Sequence, residues 1–329
     1  MNEPTLGCLE EPPSAGTAVW VREQESETFA RAVATGTTSG ARAVVTTLHS
    51  QRSLPLPLHQ IWPANPAGAD DADDVTSLLH LHEPALLHSL RERAARGAIY
   101  TSVGRVLLSV NPFRPLPDVY GEARMAEYRD RSTRRPHLYA VGELAYRSIR
   151  RDRVDASIVV SGESGSGKTE ASKHLLRYIS WRAGGEGGAT TGGVAARVLH
   201  STPLFEAFGN AATTRNRNSS RFGKHMDVLL TADGAVAGGR VRTFMLEKTR
   251  AAAPPPPGER SFHVLYFLAA GGLLPQARPA QAFRALAAPP AATSSFADAS
   301  SFDFDAFDRA GLSELLASLD ALFVSSEAQ

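Results

Sequence analysis

One stretch constrains this chain more than any other: Ser157 to Ser180, SIVVSGESGSGKTEASKHLLRYIS. From Gly162 to Thr169 it spells G-x-x-x-x-G-K-T, the pattern of a phosphate-binding loop, which needs a strand before it and a helix after it. Ile158, Val159 and Val160 predict a buried parallel strand, because an unbroken β-branched run suits a strand covered on both faces. Ala171, Leu175 and Ile179 recur at helical spacing and predict the helix. Gly162, Gly165 and Gly167 let the backbone turn so that several amides point into one hollow, at a helix end whose dipole favours an anion. Glu163, Ser164 and Ser166 complete the loop. Lys168 would add a point charge for the outer phosphates, and Thr169 a hydroxyl ligand for Mg²⁺.

Composition narrows the setting. At 329 residues and 43% hydrophobic, the chain can bury the core of one large domain or two. A formal charge of +1 gives no general attraction to nucleic acid. Cys8 is the only cysteine, which excludes an internal disulfide and fits a reducing compartment. No apolar run reaches membrane-spanning length, and the opening MNEPTLGCLEEPPS is acidic rather than leader-like. The expectation is a soluble intracellular protein with no transmembrane segment.

Taken in order, residues 1–14 read as a disordered lead-in, and residues 15–62 as short antiparallel strands of a small barrel, with Trp20 a core or packing residue rather than a ligand platform. Asp73 or Asp74 is placed to cap a helix, and Pro84 to open a second one. His80, His82 and His88 form no metal-like set and predict packed or exposed roles. Val103 to Val110 reads as a strand that breaks into a loop with Asn111, Pro112, Phe113, Arg114 and Tyr120. That loop is either a surface turn or a rigid polar edge for a purine, and spacing leaves both open. Gly184 to Gly193 predicts a flexible insertion.

Farther on, Asn216, Asn218, Ser219, Ser220 and Arg221 form a polar run flanked by Phe205, Phe208 and Phe222. Apolar flanks imply a loop held against the core. Hydroxyls and a cation there are what a nucleotide switch needs. Asp233-Gly234 predicts a hairpin turn, and RVRTFMLEK a strand sharing a sheet with Ile158. Ala251 to Gly258 predicts a polyproline-like loop, Phe262 to Leu268 a buried helix ended by Gly271 and Gly272, and FDAFDRAGLSELLASLDALF a last amphipathic helix or pair.

These stretches together carry a resemblance. GESGSGKTEASKHLLRYI is similar to the phosphate loop of myosins, and NRNSSRFGK to myosin switch I. DDVTSLLHLHEPALLHSL, IYTSVGRVLLSVNPFRPLP, PLFEAFGNAATTRN and FMLEKTR with GERSFHVLYFLAAG follow the same order as in a myosin head. The resemblance implies an incomplete α/β P-loop NTPase motor core over residues 71–329, a mixed central sheet flanked by helices. A small SH3-like barrel over residues 15–62 would precede it. It implies that Gly162 to Thr169 hold the triphosphate of ATP, and that Thr169 and Ser220 ligate Mg²⁺. Ser219 and Asn216 would face the γ-phosphate and the attacking water, Arg221 would form the ion pair that closes the site, and Asn111, Pro112 and Tyr120 would line the adenine pocket. Actin filaments would be the partner and the cytoplasmic cytoskeleton the location.

The sequence also departs from the family pattern. Arg217 stands where an acidic residue is usual, and Asp118 lengthens the adenine loop by one. No run like the second switch, D-x-x-G-F-E, occurs, so switch II and the actin-binding half are expected to be absent and Arg221 to lack its carboxylate partner. The expected activity is that of the ATP-binding part of an actin-activated ATPase, very weak in isolation. The alternative is a truncated, non-motor nucleotide-binding or interaction protein.

Overall fold

Val19, Val21, Ala32, Ala43, Val45, Leu56, Leu58 and Ile61 close into the first core of the computed structural model, and Leu9, Ala30 and Leu54 pack on it. Burying each of the larger of these aliphatics is worth about 2 kcal/mol. The structure describes residues 7–22, 28–38, 42–184, 194–273 and 303–323. Readings on residues 1–6, 185–193 and 274–302 lie outside those described. The chain divides into two compact units, residues 1–141 and 142–329.

In the first unit, strands β1 (Ala18–Arg22), β2 (Phe29–Thr38), β3 (Arg42–Thr47), β4 (Ser53–Pro57) and β5 (Ile61–Pro63) form one antiparallel sheet in the order β4-β3-β2-β1-β5. The alternation predicted over residues 15–62 is thus realised as a meander with its fifth strand on the far side of β1. Trp20 lies outside that first core although it is buried, its ring 4.8 Å from that of His88 and 5.6 Å from the Arg31 guanidinium. Within the stretch expected to be a lead-in, the Leu9 amide donates to the Ile61 carbonyl at 2.9 Å.

Asp74 caps a single 3-10 turn, Val75–Ser77, accepting from the Thr76 amide at 3.0 Å, rather than opening a full helix. The α-helix comes later, as α1 (Glu83–Ala95) with Pro84 in its first turn, and its cap is His82, whose Nδ1 accepts from the Ala85 amide at 3.2 Å. Asp73 is spent instead on Arg93, at 2.8 Å. The strand expected from Val103 to Val110 is a hairpin, β6 (Tyr100–Val103) and β7 (Val106–Ser109), because Gly104 turns the chain between them. Helix α2 (Glu122–Arg129) comes next, and α3 (Leu138–Arg147) carries the chain across the boundary between the units.

The second unit is built on α4 (Lys168–Ala183), α5 (Val194–Gly209), the hairpin β10 (Gly223–Leu230) and β11 (Val236–Phe244), α7 (His263–Ala270) and α8 (Phe304–Phe323). Short pairs β8 (Asn210–Ala211) and β9 (Ser219–Ser220), and the helical turn α6 (Thr249–Ala252), connect them. Its core joins Ala207, Val264, Phe267 and Leu315, from α5, α7 and α8, with Phe262. The predicted hairpin turn at Asp233-Gly234 is present, with Gly234 at φ +92° and the Thr231 amide donating to the Ala235 carbonyl at 2.9 Å.

One expectation is corrected. Ile158, Val159 and Val160 form no strand ladder, and β10 and β11 pair only with each other. Ile158 and Val160 are half-buried, whereas Val159 is 88% exposed. Ile158 and Val160 line a groove of about 260 Å³ together with Met226, Val228 and Leu230 of β10 and Leu175, Leu176 and Ile179 of α4. A two-sided apolar run needs neighbours on both edges to be a sheet strand. No described strand of this chain supplies them.

Candidate functional site

The phosphate-loop pattern forms the turn that its glycines require. Gly162, Gly165 and Gly167 take φ values of +157°, +82° and +94°, and helix α4 starts directly behind them at Lys168. At Gly162 a Cβ would stand 2.5 Å from Ser166 Oγ, so only glycine lets the loop fold this tightly. The Ser166 amide donates to the Glu163 carbonyl at 3.2 Å, closing the turn. No side chain caps α4, so the amides of its first turn have no intrahelical acceptor and face the hollow of the loop. Lys168 Nζ donates to the carbonyls of Gly162 and Glu163 at 2.7 and 2.8 Å, which fixes its charge over the same loop.

The polar run downstream comes to meet this loop. Ser219 is buried and its Oγ is 2.9 Å from Ser164 Oγ. Arg221 Nη2 donates to Ser219 Oγ at 2.5 Å, so the same hydroxyl oxygen joins Arg221 to Ser164. A Cβ on Gly165 would lie 3.9 Å from Asn216 Nδ2, so Asn216 also borders the phosphate loop. Asn216 Oδ1 accepts from the Asn218 amide at 3.0 Å, and its main chain is tied to Thr213 at both N and O. Ser220, by contrast, turns its hydroxyl to the Phe222 carbonyl at 3.0 Å and is exposed. Thr169, at the head of α4, is half-buried.

The loop is held from beneath, as its aromatic flanks suggested. The Phe222 ring lies where a Cβ on Gly209 would be, 2.1 Å away, so the absence of that Cβ is what admits the ring. Asn218 Oδ1 accepts from Asn210 Nδ2 at 2.8 Å and from His263 Nε2 at 3.2 Å, and Asn218 Nδ2 donates to Glu206 at 3.2 Å. Phe208, also expected to hold the loop, is 57% exposed. Burial alone would lower the Lys173 ammonium, but Glu206 and Glu170 on either side raise it above its ordinary value.

Arg221 does have a carboxylate partner, contrary to the expectation that it would lack one: Glu247 Oε2 lies 3.2 Å from its Nη1. Sequence reading missed Glu247, Asn218's role as a hub, and His263. The nearest signal is FMLEKTR, which carries Glu247 at no periodic spacing from Arg221.

Asn111, Pro112 and Tyr120 lie in the first unit. Asn111 Oδ1 accepts from the Phe113 amide at 3.0 Å, which presents Phe113 outward at 85% exposure. Tyr120 is anchored by its hydroxyl, 2.6 Å from that of Tyr100, within an aromatic group that includes His137 and Tyr139. Burial and the Tyr120 hydroxyl push the Tyr100 phenol well above its ordinary value, so it stays protonated.

Among the described residues no group of His, Cys, Asp and Glu could hold a metal ion, and no helix is long and apolar enough to cross a membrane. Comparison with known proteins gives a consistent result. The chain is 42% identical over 234 residues to Myosin-3 of Arabidopsis thaliana, covering 71% of this chain and 20% of that protein. It is 40% identical over 261 residues to Myosin-6 of the same plant, covering 78% of this chain and 17% of that protein. It is 36% identical over 287 residues to the Myosin-J heavy chain of Dictyostelium discoideum, 78% of this chain and 13% of that protein. The chain therefore spans a fifth or less of the length of these relatives. A family profile described as the myosin head (motor domain) matches residues 72–286, more than half of the chain, and the chain belongs to that family.

Proposed function

We propose that residues 162–169, with Asn216, Ser219 and Arg221, form the triphosphate half of an ATP site in the head of an actin-based motor. The observation that carries this reading is the 2.9 Å contact of Ser164 Oγ with Ser219 Oγ, which joins the phosphate loop to the downstream polar loop. Two loops that meet through hydroxyls, with Lys168 on one and Arg221 on the other, suit a polyanion whose charge must be sensed by a movable segment.

The donor set fits the nucleotide. The glycine turn and the uncapped start of α4 supply amides, and Lys168 supplies a cation. Mg²⁺ would be held by the hydroxyls of Thr169 and Ser220, the latter after turning away from Phe222. When bound, the ion would neutralise charge on the outer phosphates. Asn111, Pro112 and Tyr120 would line the adenine pocket, with Tyr120 fixed by Tyr100. In this reading residues 71–329 are part of a P-loop motor core, and the sheet over residues 15–62 corresponds to the SH3-like barrel that precedes it. Coupling of hydrolysis to movement along actin, in the cytoplasmic cytoskeleton, belongs to the parent motor.

Titration of the chain with a fluorescent mant-ATP in the presence of Mg²⁺ tests the site. Saturable binding is expected, weakened at least tenfold in Lys168→Ala, since a charge-assisted phosphate contact is worth more than about 1.4 kcal/mol. Equal affinity in the two proteins would overturn the assignment.

A further inference from the structure

Arg221 is locked by more than its ion pair. Its guanidinium donates to Glu247 Oε2 at 3.2 Å, Ser219 Oγ at 2.5 Å and the Ser220 carbonyl at 3.1 Å. Its main chain is fixed too: the Arg221 amide donates to the Gly209 carbonyl, and the Glu247 amide to the Arg221 carbonyl, both at 2.9 Å. The backbone thus sets the carboxylate and the guanidinium side by side before their side chains meet.

The other side of Glu247 faces Arg250, which is buried. Arg250 Nε donates to Glu247 Oε2 and its Nη2 lies beside Oε1, both at 3.1 Å. Arg250 has a second carboxylate, Glu259 at 2.8 Å, and the Arg260 carbonyl at 2.9 Å. This asymmetry matters. Breaking a partly buried pair is costly when it strands a charge. Here Arg221 can leave Glu247 without stranding it, because Arg250 remains.

We propose that Glu247 is a positioning residue: it holds Arg221 against Ser219, and through Ser219 and Ser164 it keeps the polar loop on the phosphate loop. The proposal rests on the nucleotide-site reading above. It adds that Glu247 competes for Arg221 with any other carboxylate that approaches it, and so biases the loop towards its present state.

Four variants of the full chain test it: Glu247→Gln, Glu259→Gln, Arg221→Gln and the double variant Arg221→Gln/Glu247→Gln. With mant-ATP and Mg²⁺, nucleotide dissociation should quicken about fivefold in Glu247→Gln, the worth of one partly exposed charged pair. Glu259→Gln perturbs Arg250 alone and should leave dissociation within about twofold of the parent chain. The double variant should dissociate no faster than Arg221→Gln, since the two side chains act as one unit. Unchanged dissociation in Glu247→Gln, or equal acceleration in Glu259→Gln, overturns the proposal. If the parent chain holds no mant-ATP, the site reading itself falls. Amide hydrogen exchange of residues 213–222 without nucleotide then decides: faster exchange in Glu247→Gln alone supports the positioning role, and exchange equal to the parent overturns it.

Discussion

Acidification should destabilise the second unit through His263, by an amount the geometry sets. The ring is buried at the start of α7, stacked on Phe267 at 5.7 Å and edge-on to Phe307 at 5.2 Å. Its Nε2 faces Asn218 Oδ1, which already accepts from Asn210 Nδ2, so Nε2 carries the proton and donates. Nδ1 is then the basic nitrogen, and it is buried with no hydrogen-bond partner. Burial first, and the like charge of Arg260 second, hold the imidazole down at about 4 against an ordinary 6.5. A histidine with a depressed folded pKa binds its proton in the unfolded chain first, so its contribution is intact above pH 6.5 and is lost as pH falls towards 4. Integrating that difference gives a loss of about 2 kcal/mol at about pH 5, against almost nothing at about pH 7.5. At a urea m-value of about 2 kcal/mol/M, the unfolding midpoint shifts by about 1 M. Urea unfolding followed by far-ultraviolet circular dichroism at both pH values measures it. His263→Phe keeps a ring in place and should lose about 2 kcal/mol less than the parent over that interval. His82 and His174 are also lowered by burial, but they titrate alike in both proteins and cancel. A variant that loses as much stability as the parent refutes the reasoning.

Single contacts set the outcome of other substitutions. Gly162→Ala should weaken mant-ATP binding at least tenfold with little change in Tm, because the added methyl meets Ser166 Oγ inside the loop rather than in a core; parental affinity refutes it. Glu143→Ala should cost about 3 kcal/mol, since the buried carboxylate takes Tyr178 Oη at 2.7 Å, Arg182 Nε at 3.0 Å and Arg147 Nε at 2.5 Å. Glu143→Gln should cost about half that in the same urea assay, and equal losses would show that charge is not what matters there. Gly209→Ala should destabilise by about 1–3 kcal/mol and speed hydrogen exchange around Phe222, whose ring occupies the space; unchanged exchange would count against the ring as the loop's anchor.

Features governed by local chemistry were the ones legible in the sequence. The glycine spacing of residues 162–167 fixes a backbone turn with no long-range help, and that turn is present. Asp233-Gly234 likewise forms its hairpin from the turn residues alone. Asp74 caps where it was expected to, but Val75 to Leu81 is too short of helical continuation before Pro84, so only one 3-10 turn comes after it. His82 as the cap of α1 had no such signal. Imidazole is not a usual capping group, and it serves here because its other nitrogen is tied to the Pro63 carbonyl at 2.7 Å. Glu247 was equally hidden: its tie to Arg221 spans 26 positions with no periodicity to betray it.

The Ile158 segment shows the same limit from the other side. Hydrophobicity states what a segment needs, and Ile158 to Val160 has the composition of a strand that needs two neighbours. Whether neighbours exist is a property of the whole sheet. Here β10 is committed to β11 across its full length, and Ile158 and Val160 share with it a groove of about 260 Å³ instead of a strand ladder. The helix side of the groove is nevertheless well made, since Leu175, Leu176 and Ile179 line it. The phosphate loop is therefore positioned in this chain from its C-terminal side, by helix α4 and the Ser164–Ser219 contact, and not by a ladder in front of it. Lys168 ties the two ends of the loop together through the Gly162 and Glu163 carbonyls, and Ser164 joins its backbone to Ser219 and Arg221. Control of the candidate site then lies in the ion pair with Glu247 rather than in the strand.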